Sequence, residues 1–118
     1  MSIRRVVPDL RTDQIAESRD FYTQVLGMEV TMDMGWIVFL VSPGNPTAQV
    51  QLMTHDAAAP IVPNITIEVQ DVDAVHASAV RFGAQIVYPL TDEPWGVRRF
   101  FVADPSGTVI NVMMHASG

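Results

Sequence analysis

The chain has 118 residues, of which 48% are hydrophobic and 17% are charged, and it contains no cysteine. This length suits one compact domain, and the apolar content excludes an intrinsically disordered chain. Apolar runs such as residues 36–41 are far shorter than the roughly 20 residues that cross a bilayer, so no membrane protein is expected. No signal peptide opens the chain, and a cytoplasmic location is therefore the expectation.

The charge balance favours small ligands over nucleic acid. There are 13 acidic residues against seven basic ones, all of them Arg, and the net charge is -6. A surface of this sign repels phosphate backbones, although it tolerates cationic small molecules and is also common in ordinary soluble proteins. Arg98 and Arg99 are adjacent, and strand alternation predicts one inward and one outward side chain there rather than a basic patch.

The first half of the chain predicts a strand, a helix and three further strands. Residues 3–11 form an apolar run rich in Val and Ile, which indicates a strand. A capping-type Thr follows, and apolar residues from Ile15 to Leu26 then recur at helical spacing. Gly27 predicts the helix end, because glycine adopts the left-handed conformation found there. The remaining strands are predicted at residues 28–32, 39–41 and 48–53.

The second half repeats this order after a linker at about residues 56–63, which is rich in Ala and Pro. Residues 64–70 alternate with period two, Asp71 offers a helix cap, and Gly83 predicts the helix end. Strands should follow at residues 84–88, 101–103 and 108–114. The predicted fold class is therefore α+β, with two βαβββ modules at about residues 3–55 and 64–115 inside one domain of residues 1–118.

Two groups of motifs carry a resemblance to a known family. The first is Arg-Asp-Phe-Tyr at residues 19–22 with Leu-Gly-Met at 26–28. The second is Glu-Pro-Trp-Gly at residues 93–96 leading into Phe-Val-Ala-Asp-Pro-Ser-Gly at 101–107. With these motifs the chain resembles the vicinal oxygen chelate superfamily of glyoxalase I, extradiol dioxygenases and bleomycin resistance proteins. The resemblance implies an open, barrel-like mixed sheet with a concave ligand cleft, and it is stronger to the metal-free, bleomycin-resistance-like members.

The resemblance also locates the positions at which the enzymes of the family hold a divalent metal. Counting from the shared motifs puts Val7, Gln51, Asn64 and Asn111 at these positions, where the enzymes carry His, Glu or Gln. A valine offers no donor, and three neutral amides do not neutralise a dication. The resemblance therefore implies use of the cleft without a metal cofactor. A divalent-metal-dependent lyase, isomerase or dioxygenase with displaced ligands is the alternative.

Amide, carboxylate and aromatic side chains remain as candidates for a small-molecule site. Trp95 is favoured by its loop between Pro94 and Gly96, whereas core packing explains Trp36 equally well. A metal-free isomerase or lyase with Asp9 or Glu68 as general base is a further alternative. The candidate ligand-binding residues are Asp9, Trp36, Gln51, Asn64, Glu68, Trp95, Asn111 and Met113.

These features together predict metal-independent binding of a small organic molecule, with antibiotic sequestration as one form of it. No catalytic residue is assigned by the sequence. By resemblance, the chain should form a homodimer in which modules from different chains can combine to form each cleft. Neither nucleic acid nor a membrane is expected as a partner.

Overall fold

A computed structural model describes residues 2–116, which contain eight strands and two helices. The first half contains β1 (Ile3–Arg11), α1 (Ile15–Gln24), β2 (Glu29–Asp33), β3 (Ile37–Ser42) and β4 (Asn45–Met53). The second half contains β5 (Ile65–Val69), α2 (Val72–Phe82), β6 (Gln85–Asp92), β7 (Val97–Ala103) and β8 (Val109–His115). Each half thus runs strand, helix, strand, strand, strand, and the predicted α+β fold of two βαβββ modules is confirmed.

The chain forms two compact units. The first unit is Val7–Val62, and the second unit combines the residues from Pro63 onward with those up to Val6. The start of β1 therefore belongs to the second unit and the rest of β1 to the first. The boundary at Pro63 lies at the end of the predicted linker. That residues 1–118 fold as one domain stays a prediction, and its ends, residues 1 and 117–118, lie outside the described residues.

The first unit is a four-stranded mixed sheet with α1 on one face. The strand order is β2-β3-β4-β1, in which β1 and β4 are parallel and the other neighbours are antiparallel. The apolar core contains Val38, Leu40 and Leu52, against which Ile15 and Tyr22 of α1 pack. Side chains alternate along a strand, so the neighbours of these core residues lie on the face opposite α1.

The second unit repeats this arrangement with α2. Its strand order is β5-β8-β7-β6, with β5 and β8 parallel and the other neighbours antiparallel. Val69, Phe100 and Val112 form the core with Val72, and Val75 of α2 packs against them. The sheet in each unit is open, because its strand order begins and ends at different strands.

The two helices begin and end differently. Asp71 caps α2 by accepting a 3.1 Å hydrogen bond from Ala74 N, and Gly83 ends it with a left-handed φ of 83°, as predicted. In α1, Gln14 occupies the cap position without a side-chain bond, and Gly27, with φ of 70°, lies two residues beyond the C-cap Val25. No helix within residues 2–116 has the length and apolar character needed to span a bilayer.

Candidate functional site

Three of the eight predicted ligand-binding residues, Glu68, Asn111 and Met113, lie on the face of the second unit opposite α2. Ile67, Val112 and Phe100 are cross-strand neighbours that point toward α2, so the alternate residues of the same strands point away from it. We call this surface the polar face. Its two central cross-strand rows are Thr66, Asn111 and Phe101, and Glu68, Met113 and Arg99.

Asn111 has an unused hydrogen-bonding atom on the polar face. The residue is 8% exposed, and its Nδ2 donates a 3.2 Å hydrogen bond to Thr66 Oγ1. Its Oδ1 is buried and has no hydrogen-bond partner among residues 2–116. A buried acceptor without a donor costs free energy, so it is expected to bind an ordered water or a donor group of a ligand.

The carboxylate of Glu68 is held by an arginine. Arg5, at the start of β1, donates a 2.6 Å hydrogen bond from Nε to Glu68 Oε1. His115 Nε2 lies 3.8 Å from Glu68 Oε2, and most of the His115 side chain is exposed. This charge-assisted hydrogen bond from Arg5 engages Oε1 of the Glu68 carboxylate.

A buried ion pair that sequence reasoning missed lies beside the two central rows. Arg99 Nε donates a 2.7 Å hydrogen bond to Glu93 Oε2, and Tyr88 Oη donates one of 3.1 Å to the same oxygen. The side chains of Arg99 and Glu93 are 4% and 3% exposed, whereas that of Arg98 is 30% exposed. The predicted inward and outward orientation of the two arginines is confirmed. The available signal was the pair of arginines beside the apolar stretch of β7.

Trp95 lies at the edge of the polar face in the loop between β6 and β7. The loop is closed by a 2.8 Å hydrogen bond from Glu93 N to Val97 O, and Gly96 has a φ of 89°. A three-residue hairpin loop of this kind needs glycine at its left-handed position. The guanidinium carbon of Arg99 is 5.1 Å from the centroid of the half-buried Trp95 ring.

The first unit holds three of the predicted site residues. Asp9 and Gln51 are cross-strand neighbours on the face opposite α1, and both are buried. Trp36 lies just before β3, where its half-buried ring is 6.2 Å from the ring of His55 between centroids. The structure therefore brings Asp9 and Gln51 together, while Trp36 contacts a residue that follows β4.

Asn64 has its amide oxygen engaged with the backbone. It precedes β5 and is exposed, and its Oδ1 accepts a 2.8 Å hydrogen bond from Val109 N. Its own N–H donates a 2.9 Å bond to Val109 O. These bonds join the start of β5 to the start of β8.

The residues at the four family metal positions do not fit a divalent metal. Val7 is completely buried and apolar, and the amide oxygen of Asn64 is already bonded. Gln51 and Asn111 supply only neutral amide oxygens, which do not neutralise a dication without imidazole or carboxylate ligands beside them. Residues 2–116 contain no group of three or more His, Cys, Asp or Glu side chains that could hold a metal ion.

Sequence comparison identifies the family. The family model for the Glyoxalase/Bleomycin resistance protein/Dioxygenase superfamily matches residues 2–112. The chain belongs to this superfamily. The predicted resemblance is thereby confirmed at the level of the superfamily, and the metal-free, bleomycin-resistance-like subtype stays a prediction. No curated protein matches the sequence significantly.

Solved structures of this superfamily share the fold. A member from Vibrio splendidus 12B01 is 22% identical with a TM-score of 0.73, covering 96% of this chain and 99% of that one. Methylmalonyl-CoA epimerase from Mycobacterium tuberculosis is 20% identical with a TM-score of 0.68, and the match covers 98% of this chain and 88% of that one. The Mn(II)-bound glyoxalase from Novosphingobium aromaticivorans is 25% identical with a TM-score of 0.66, covering 98% of this chain and 40% of that one.

Proposed function

We propose that this superfamily member binds a small organic molecule on the polar face of the second unit, without a metal cofactor. The observation that supports this proposal is the buried Oδ1 of Asn111, which has no hydrogen-bond partner among residues 2–116. Its cross-strand neighbours, Thr66 on one side and Phe101 on the other, are buried with it. An apolar lining with a few placed polar groups is typical of small-molecule sites.

The chemistry of these residues suggests what the ligand carries. Asn111 Oδ1 is an acceptor, so the ligand should present an N–H or O–H donor to it. The half-buried ring of Trp95 offers surface on which a flat group can stack. Glu68 is paired with Arg5, and Glu93 with Arg99, so neither carboxylate demands a cationic ligand.

One further predicted ligand contact belongs to the proposed site on the polar face. Met113 lies between Glu68 and Arg99 on the polar face. That Asp9, Gln51 and Trp36 of the first unit, and Asn64, also contact a ligand stays a prediction from the sequence.

We propose that the bound molecule is an antibiotic, which the protein sequesters. The family description names bleomycin resistance proteins, and the net charge of -6 tolerates a cationic drug. The metal-dependent alternative is not favoured, because the side chains at the metal positions are an apolar valine and neutral amides. We further propose that the protein is a cytoplasmic homodimer.

Calorimetric titration with cationic glycopeptide antibiotics, aromatic antibiotics and small aromatic amides tests the binding proposal. Asn111→Leu should weaken binding of any ligand found by about tenfold, because one buried hydrogen bond is lost. Asn45→Leu is the matched control, since Asn45 is exposed and its Oδ1 accepts only local bonds from Thr47. Equal affinity in the Asn111→Leu protein, or no binding by any compound, would contradict the proposal.

Elemental analysis of the purified protein tests its metal independence. We expect no stoichiometric divalent metal and the same ligand affinity before and after chelation. A stoichiometric metal whose removal abolishes binding would instead support the metal-dependent alternative.

A further inference from the structure

A buried guanidinium enclosed by three aromatic rings lies next to the proposed ligand site. The guanidinium carbon of Arg99 is 4.9 Å from the ring centroid of Phe101, 5.1 Å from that of Trp95 and 5.3 Å from that of Tyr88. Phe101 follows on the same face of β7, and Tyr88 is its cross-strand neighbour on β6. A cation in contact with an aromatic ring is attracted to it, and most strongly where water is excluded.

The position of the guanidinium is fixed by polar contacts on one side. Arg99 Nε and Nη2 lie 2.7 and 2.6 Å from Glu93 Oε2, and Tyr88 Oη donates to the same oxygen. Burying such an ion pair is seldom favourable for stability compared with apolar residues of similar size. Stability alone is therefore a weak reason for this pair, and a role in positioning a neighbour is the more direct explanation.

Trp95 is the neighbour of the guanidinium that lies in a loop. It lies in the three-residue loop that Glu93 and Val97 close, and Gly96 O accepts a 2.8 Å bond from Ala116 N. These backbone bonds fix the path of the loop, but they do not fix the rotamer of the indole. The contact with Arg99 acts on the indole ring itself.

We propose that Arg99, held by Glu93 and Tyr88, is a positioning residue that keeps the Trp95 ring in one orientation at the edge of the polar face. The effect of a fixed ring orientation on ligand binding rests on the proposed function, in which Trp95 contacts the ligand. The orientation of the ring does not depend on a ligand, so it is measured in the free protein.

Fluorescence of Trp95 provides the measurement. The chain has two tryptophans, and Trp36→Phe leaves Trp95 as the single emitter. In this background, quenching of the Trp95 fluorescence by acrylamide measures the accessibility of the ring. Acrylamide is uncharged, so the charge substitutions do not attract or repel it. Fluorescence anisotropy reports local motion of the ring. Arg99→Met combined with Glu93→Gln removes both charges together and avoids a buried unpaired one. We expect acrylamide quenching to increase about twofold or more and anisotropy to fall, because the cation–ring contact is lost.

Arg98→Met is the matched control. Arg98 is the adjacent residue of β7, and its ion pairs with Asp73 and Asp92 involve neither Trp95 nor the polar face. The quenching and anisotropy of Trp95 should equal those of the parent in this variant. Arg99→Lys keeps the charge without the planar guanidinium, so it should give values between those of the parent and the double variant.

Circular dichroism and cooperative urea unfolding establish that each variant is folded. If the double variant does not fold, Tyr88→Phe takes its place, since it removes only one hydroxyl, and a smaller increase in quenching is then expected. Unchanged quenching and anisotropy in the folded variants would overturn the inference. If Arg99 controls the ring but Trp95→Ala binds ligand like the parent, the positioning role stands and the proposed ligand role of Trp95 is wrong.

Discussion

Arg98 and Arg99 are chemically identical neighbours, and the alternation of β7 gives them opposite environments. Arg98 lies on the α2 side of β7 and pairs with Asp73 and Asp92, whereas Arg99 points to the polar face and pairs with Glu93. An exposed ion pair contributes little to stability, and breaking a buried one costs much more. The sequence predicted the two orientations but named no partner for Arg99, because Glu93 reaches it only through the pairing of β6 with β7.

Removal of one member of the buried pair should destabilise the protein strongly. Glu93→Gln leaves the Arg99 guanidinium buried without a charged partner, and we expect a loss of about 3 kcal/mol in the free energy of unfolding. The double variant, which combines Glu93→Gln with Arg99→Met, should lose less unfolding free energy than Glu93→Gln alone. Urea unfolding of the parent, both single variants and the double variant checks this, and additive losses would contradict it.

Protonation of Asp73 should lower stability in acid. The hydrogen bond from Arg98 is the main cause that holds the pKa of Asp73 below its ordinary value of 3.8. Because the folded-state pKa is depressed, the stabilisation is present above the ordinary value and is lost as pH falls through the folded-state pKa. An NMR titration should give a higher pKa for Asp73 in Arg98→Met. An unchanged pKa in that variant would exclude Arg98 as the cause.

The regular elements followed closely from local sequence patterns. The predicted strand at residues 3–11 and the predicted end of the second helix at Gly83 both match the structure. The first helix ends at Gln24, earlier than the predicted glycine, because Met28 N bonds back to Tyr22 O in an irregular turn that Gly27 permits. Periodicity and capping residues can be read from neighbouring positions in the sequence. The backbone path of a turn cannot be read in this way.

The two helix caps provide a matched comparison. Asp71→Ala removes the side-chain acceptor for Ala74 N, so it should cost about 1 kcal/mol of unfolding free energy. Gln14→Ala is the control, because Gln14 makes no capping bond through its side chain. Thermal unfolding compares the two, and equal effects of both substitutions would count against a capping role for Asp71.

At the scale of the whole molecule, the repeat accounts for both units, although the first strand is divided between them. Ser2 O accepts a hydrogen bond from Gln70 N and Arg5 pairs with Glu68, so the start of β1 belongs to the second unit. Periodicity cannot reveal this division, because it depends on which strand lies beside each part of β1. Membership in the superfamily agrees with the repeat.

The proposed homodimer should be detectable by its mass. Phe21, Val25 and Leu26 in and just after α1 are each more than half exposed, and an exposed apolar cluster is typical of an interface. Light scattering should give a mass near twice the 13.0 kDa of the chain. Leu26→Lys should favour the monomer, whereas Arg81→Ala, at an exposed position of α2, should not. A parent protein that remains at the monomer mass would contradict the proposal.

The sequence by itself determined the βαβββ repeat, most element boundaries and the resemblance to the superfamily, because these depend on residues close together in the chain. Only the tertiary structure decided which polar groups are paired. Asn111 bonds Thr66 across 45 residues and Glu68 bonds Arg5 across 63, since strand register brings them together. The same register buries the amide oxygen of Asn111 without a hydrogen-bond partner among residues 2–116, which no pattern along the chain could indicate.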